Sequence, residues 1–223
     1  AKNVVRYLLN RPYFLGASGI NYGKTDYLLS YSTLVDFQLP QLFFMVNDIL
    51  LFERVRSSIT KHESSVSVYF GKVNKYILLQ KRKILKELRF KYKNINLLTR
   101  KYPDTREKTL QIIANSELLI SFDQLTNLNY ETTLLGVPVL LIDDTYGIKN
   151  TKFNIPLYGF FFDMTEYYKA QQEVIKAFPA YIDYLESQDG MVKVTFENIL
   201  SHFKRIKSDG EYKKAIAEKN HLQ

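Results

Sequence analysis

No cysteine occurs among the 223 residues, which excludes disulfides and thiolate metal sites. Histidine is scarce and scattered: His62, His202 and His221 form no ligand cluster in the sequence, so neither a structural nor a catalytic metal is expected. No apolar run approaches the roughly 18 residues needed to span a bilayer, and the start of the chain has no signal-peptide pattern. These absences point to a cytoplasmic protein and are compatible with a reducing compartment. An apolar content of 46% excludes a disordered chain, and the length suits one large or two small domains.

The formal charge of +8 calls for an anionic partner or a solvated basic surface. Much of it lies in 72–101, where Lys81, Arg82, Lys83, Lys86, Arg89, Lys91 and Lys93 crowd one predicted helix. A solvated helix face is the first reading of this cluster. Peripheral contact with an anionic membrane is the second. Nucleic acid is not expected as a partner, because no binding motif is present and the aromatics form no regular stacking series.

The stretch 118–143 carries the densest pattern. Leu118, Leu119 and Ile120 read as a buried parallel strand, and Asp123, Gln124, Thr126 and Asn127 supply turn and N-cap side chains. A helix of about three turns is predicted next, with Leu128, Leu134 and Leu135 as its apolar side. Gly136 fits a left-handed C-terminal cap, and Pro138 stops the helix before a second strand, Val139 to Ile142. Asp123 and Glu131, one in the turn and one on the helix, suggest a site for a hydroxyl-rich ligand. The first amides of the helix could face a phosphate.

Alternation extends this unit in both directions. Strands are predicted at 66–70, 95–98, 118–120 and 139–142, and helices at 76–92 and 105–114, a series that implies a parallel sheet with right-handed crossovers. Before residue 65 the pattern reads as short strands at 3–9, 27–31 and 41–46 with little helix. From about 165 to the end it reads as charged helix packed through Phe178, Tyr181, Tyr184, Phe196 and Phe203.

Asp123, Glu131, Gly136 and Pro138 together resemble the carboxyl-terminal signature of retaining GT-B glycosyltransferases, in which two acids separated by seven residues precede a helix ending in Gly-x-Pro-Val. The first acid here is Asp rather than the usual Glu. Tyr69-Phe-Gly71-Lys72 is similar to the end of that family's first donor-domain strand, and Pro103-Asp-Thr-Arg106 and Ser121-Phe-Asp123 look like bacterial enzymes of surface polysaccharide or lipopolysaccharide synthesis. The resemblance covers about 65–144, with a weak likeness at 3–12.

The resemblance implies an α/β, GT-B-like fold: part of an amino-terminal, acceptor-side Rossmann-like domain over 1–63, a Rossmann-like donor domain over 64–164, and a helical segment over 165–223 packing back on the domains. The segment before the donor domain is too short to be a whole Rossmann-like domain, so a fragment is expected, in keeping with Ala1 at the first position. The implied activity is metal-independent transfer, with retention, of a sugar from a nucleotide-sugar donor to a glycan or lipid-linked acceptor at the inner face of a bacterial membrane. The nucleotide-sugar is a substrate, and no cofactor is expected. By similarity Glu131 binds the ribose hydroxyls and Asp123 the hydroxyls of the transferred sugar. The amides near Thr126 and Asn127 receive phosphate, while Lys72 beside Gly71, with Arg106 or Lys75, neutralises the departing diphosphate.

Each residue also has an ordinary reading. Glu131 can be a helix residue favoured by the dipole, Asp123 a turn former, Lys72 a strand-end lysine and Arg106 a helix surface charge. Asp143 and Asp144 are read as turn formers, and the small residues from Gly16 to Gly19 are weak evidence for an acceptor loop. A non-catalytic nucleotide-binding α/β module and a GT-B-like sugar-nucleotide epimerase are the alternative functions.

Overall fold

A computed structural model describes residues 4–8, 22–30, 38–40, 42, 48–60, 65–71, 75–99, 101–124, 126–142 and 157–220, apart from the side chains of 75–78, 80, 189 and 211–220. The expected strand at 41–46 falls almost wholly outside these residues, as do Lys72, Asp143, Asp144 and the turn from Gly16 to Gly19. The chain forms two compact units, Val46–Tyr184 and a second made of Ala1–Met45 with Leu185–Gln223.

The larger unit is built on five parallel strands: β3 (Ser65–Tyr69), β4 (Asn94–Leu98), β5 (Leu118–Ser121), β6 (Val139–Leu141) and β7 (Phe160–Phe161), in the order β4-β3-β5-β6-β7. Register aligns Val66 with Ile95 on one side and with Leu118 on the other. Strand β3 is buried along its whole length although its sequence alternates serine with valine. Its two faces therefore meet different partners. Val66, Val68 and Phe70 join Leu118, Ile120, Phe122, Leu140 and Phe161 in an apolar core. Helix α2 (Lys75–Lys91) closes that core through Ile84, Leu85 and Leu88, and α5 (Tyr167–Glu173) through Ala170 and Tyr167. Each fully buried aliphatic side chain there stabilises the fold by about 1.5–3 kcal/mol.

The opposite face carries Ser65, Ser67, Leu119, Ser121, Val139 and Leu141, all buried. Helices α3 (Arg106–Ala114) and α4 (Asn127–Leu134) contact the sheet there, and α1 (Ile49–Ser57) packs on α3. Small hydroxyls suit a close helix approach provided that each finds a partner. The Ser67 and Ser116 hydroxyls lie 2.8 Å apart, Ser116 Oγ donates to the Ile112 carbonyl at 2.9 Å, and Asn96 Nδ2 donates to Ser65 Oγ at 3.1 Å. The crossover from β3 to β4 through α2 and the crossover from β4 past β3 to β5 through α3 run in opposite directions and lie on opposite faces, as right-handed connections require.

The sequence reading located β3, α2, β4, α3, β5, α4 and β6 to within a residue or two at most ends, and three elements differ from it: α1, β7 and the length of α4. Helix α1 stands in a stretch for which no element was expected, beyond the expected strand at 41–46: Asp48 caps it by accepting from the Leu51 amide at 3.1 Å, and Leu51, Phe52 and Val55 bury one stripe. Arg56 then ties α1 to the end of α4 by donating to the Leu134 carbonyl at 2.6 Å, with its guanidinium 4.6 Å from the centre of the Phe178 ring. Strand β7 has two residues, too few for an alternating pattern. Helix α4 has eight residues, nearer two turns than three. Gly136 has the expected left-handed conformation, φ 77°.

The carboxyl-terminal stretch is helical, as expected, ending in α6 (Ala177–Asn220). Tyr181 and Tyr184 are buried, whereas Phe196 is 62% exposed and does not act as a packing aromatic. In the smaller unit β1 (Val5–Leu8) and β2 (Tyr27–Ser30) pair in parallel, as their expected strands allow, and an Arg6–Asp26 ion pair joins β1 to the turn before β2. The edge of the His202 ring meets Tyr27 at 5.1 Å between centroids.

Candidate functional site at the carboxyl ends of β3 and β5

Strand order reverses between β3 and β5, because β4 lies on one side of β3 and every later strand on the other. Open α/β sheets bind ligands outside the carboxyl ends of the strands at such a point. Two of the expected site residues stand there. Gly71 follows β3 with φ 51°, and Asp123 follows β5. A Cβ placed on Gly71 would lie 2.2 Å from Asp123 Oδ2 and 2.4 Å from Asp123 Cβ. Both the left-handed conformation and the contact therefore require glycine. On the other face of the strands the rings of Phe70 and Phe122 stack at 4.6 Å with 6° between planes, and Lys81 Nζ lies 5.0 Å from the Phe70 centroid. The Phe122 amide donates to the Tyr69 carbonyl at 2.9 Å, carrying the strand pairing up to the site.

The loop from β5 to α4 is held by side chains, mostly buried. Ser121 Oγ donates to the Asp123 carbonyl at 3.1 Å, and Asn129 Nδ2 donates to the carbonyls of Asp123 at 2.7 Å and Gln124 at 3.3 Å. Asn129 is 2% exposed, and its Oδ1 has no hydrogen-bond partner among the described residues. Thr126 is the N-cap, its hydroxyl accepting from the Leu128 amide at 3.4 Å, and Asn127 is the exposed first residue of α4. Of the four side chains expected to serve the turn and cap, Thr126 is the one that caps. Asp123 and Gln124 are buried.

Helix α4 also corrects the expected apolar side. Leu134 and Leu135 are buried, but Leu128 is only half-buried, and Asn129, Tyr130, Thr132 and Thr133 are buried as well. Thr132 and Thr133 satisfy their hydroxyls on the Leu128 and Tyr130 carbonyls, at 2.7 and 2.8 Å. Glu131 is the one charged side chain of the helix.

Glu131 pairs with Arg106, the first residue of α3, at 2.9 Å between Oε1 and Nη2. The Glu131 side chain is 13% exposed and that of Arg106 45%. Thr105 caps α3 by accepting from the Lys108 amide, which fixes where Arg106 leaves the helix, and the guanidinium stands 5.8 Å from the centre of the buried Phe52 ring. Burial raises the carboxyl of Glu131 above its ordinary value, and the charge and hydrogen bond of Arg106 oppose that shift without cancelling it. A desolvated carboxylate beside a guanidinium can accept hydrogen bonds from paired hydroxyls, and the cation favours its charged form.

The structure thus brings Gly71 to Asp123 and Arg106 to Glu131, and places Thr126 and Asn127 at the start of the helix that joins the two acids. Lys72 lies outside the described residues. No group of three His, Asp or Glu residues able to hold a metal occurs among the described residues. An open cavity of about 530 Å³ beside α3, lined by Tyr102, Pro103, Asp104, Lys108, Gln111 and Ile112, includes none of the site residues. Asn129 and Ser121 were missed in the sequence. Hydropathy offers no signal for either: at 100° per residue the apolar side read from Leu128, Leu134 and Leu135 turns position 129 away from the core, and Ser121 is the last residue of a strand. Comparison of the chain with protein-family models and with curated protein sequences finds no match.

Proposed function

We infer that the larger unit binds a nucleotide-sugar at the carboxyl ends of β3 and β5 and that the protein transfers the sugar to a glycan or lipid-linked acceptor in bacterial surface polysaccharide synthesis. The observation that carries this reading is the bare Cα of Gly71 against the Asp123 side chain, where strand order reverses and a capped helix bearing Glu131 begins. In this reading Glu131, its charged form favoured by Arg106, accepts from the ribose hydroxyls, and Asp123 accepts from the transferred sugar. The amides near Thr126 and Asn127, at the start of α4, receive a phosphate oxygen with help from the helix dipole. Lys72 and Arg106 stabilise the negative charge that gathers on the diphosphate as the glycosidic bond breaks, the step at which fixed cations lower the barrier most. Retention and independence of metal follow the resemblance to retaining GT-B enzymes.

One observation favours a second reading, a nucleotide-binding module without turnover. Arg106 is engaged by Glu131 at 2.9 Å, so one of the two cations assigned to the diphosphate is already committed to the ribose-binding acid. Incubation with radiolabelled nucleotide-sugars and a bacterial glycolipid extract separates the two. Transfer of label into lipid-soluble product, lost in Lys72→Ala and retained with a chelator, is the expected result. Nucleotide binding without any labelled product would leave the module reading in its place.

A further inference from the structure

Helix α2 presents two faces of different chemistry. Its inner face seals the apolar core through Ile84, Leu85 and Leu88. At about 100° per residue, Leu79, Lys83, Lys86 and Phe90 fall on one arc on the opposite side, flanked by Arg82 and Arg89. Leu79 and Phe90 are each 83% exposed, and no other large apolar side chain among the described residues is more exposed. They are separated along the axis by about 16 Å at 1.5 Å per residue. The one acid of the helix, Glu87, lies at the margin of the arc, 4.0 Å from Lys83. Neither large apolar side chain is buried against the described residues.

We propose that this outward face docks the protein on an anionic lipid bilayer, with Leu79 and Phe90 entering the boundary between headgroups and acyl chains and Arg82, Lys83, Lys86 and Arg89 meeting lipid phosphates. Charge complementarity selects the occupant: cations interleaved with apolar side chains on one helical arc match a plane that is anionic at its surface and apolar beneath. A nucleic acid would take up the cations but leave Leu79 in water, and Phe90 alone makes no stacking series. The inference stands independently of sugar transfer, since it uses no residue of the nucleotide site.

The chain contains no tryptophan, so Phe90→Trp creates a single fluorescent reporter on the arc. The full chain carrying it is titrated with vesicles of phosphatidylcholine alone and of phosphatidylcholine with phosphatidylglycerol, and wild type, Leu79→Ser/Phe90→Ser and Lys83→Gln/Lys86→Gln are sedimented with the same vesicles. The expected results are a blue shift and quenching by brominated acyl chains with the anionic vesicles only. Partitioning should weaken about tenfold or more in each double variant, with circular dichroism unchanged. Absence of sedimentation with anionic vesicles, or sedimentation that neither double variant weakens, would overturn the proposal. So would a reporter that binds vesicles without a blue shift, or cation-dependent binding to a labelled DNA oligonucleotide with none to vesicles.

Discussion

Helices α2 and α4 flank the same sheet and solve opposite problems. Helix α2 is long, buries one stripe and leaves a basic arc with two apolar side chains in solvent. Helix α4 is two turns long, buried almost all round, and carries a single charge, Glu131, held by a partner from the neighbouring helix. A one-sided helix keeps its place through core packing and can vary its outer face at little cost. An enclosed helix must pair most of its polar atoms, and its polar side chains consequently fix the backbone around them; in α4 the Asn129 Oδ1 is the exception among the described side chains. The difference separates a surface suited to docking from a junction suited to binding, and substitutions at the two should behave differently.

The largest expected effect is at the junction. Gly71→Ala introduces a Cβ that collides with Asp123 in a left-handed backbone, and the strain of about 1–2 kcal/mol adds to overpacking of about 1–3 kcal/mol. Gly136→Ala, also left-handed but with nothing within 4 Å of the new Cβ, should cost only the first of these terms. Urea unfolding of both variants measures the contrast; equal losses would mean that Asp123 does not press on Gly71.

Asn129→Leu comes next. It keeps the branched side-chain skeleton but removes the Nδ2 donor from the Asp123 and Gln124 carbonyls, with a loss of about 1–3 kcal/mol in the same assay and weaker nucleotide binding as the loop relaxes. Stability unchanged by that variant would remove the polar clamp from the account.

A smaller effect separates Glu131 from an ordinary surface acid. Its folded-state carboxyl is raised above the unfolded value by burial, so the native state holds the proton more tightly than the unfolded chain does. Its contribution to stability is therefore present below the ordinary carboxylate value and is lost as pH rises through the raised one. Glu131→Gln should flatten the fall in stability over that window, and Arg106→Gln should steepen it by removing the opposing charge. Thermal melts between pH 4 and 7 read both slopes, and a Gln variant parallel to wild type would contradict the desolvation argument. At the small end, Lys86→Ala on the outer arc of α2 should change stability by no more than about 0.5 kcal/mol; a larger loss would make that face structural.

The same contrast explains what could be read from the sequence. Helix α2 was legible because a single apolar stripe against charge produces a clean period, and β3, β5 and β6 because buried parallel strands read as apolar runs or valine-rich segments bounded by glycine, aspartate or proline. Helix α4 was recognised by its glycine stop, but its buried side was misread, since Asn129, Thr132 and Thr133 are enclosed through hydrogen bonds that no hydropathy pattern encodes. Helix α1 was missed because its apolar stripe is only Leu51, Phe52 and Val55 between charged residues. The site acids could be picked out by spacing, and the closeness of Gly71 to Asp123 could not, because it depends on which strands are neighbours. Likewise the Arg106–Glu131 pair joins residues 25 apart and needed α3 and α4 to be placed side by side.

Calorimetric titration of the protein and of Glu131→Ala with UDP, GDP, CMP and their sugar conjugates tests the central claim most directly. The account expects saturable binding of one nucleotide by the wild type, weakened by about 1–3 kcal/mol in the variant through loss of a charged hydrogen-bonding group. Undiminished binding by the variant, or no binding of any nucleotide by the wild type, would contradict a nucleotide site at the β5–α4 junction.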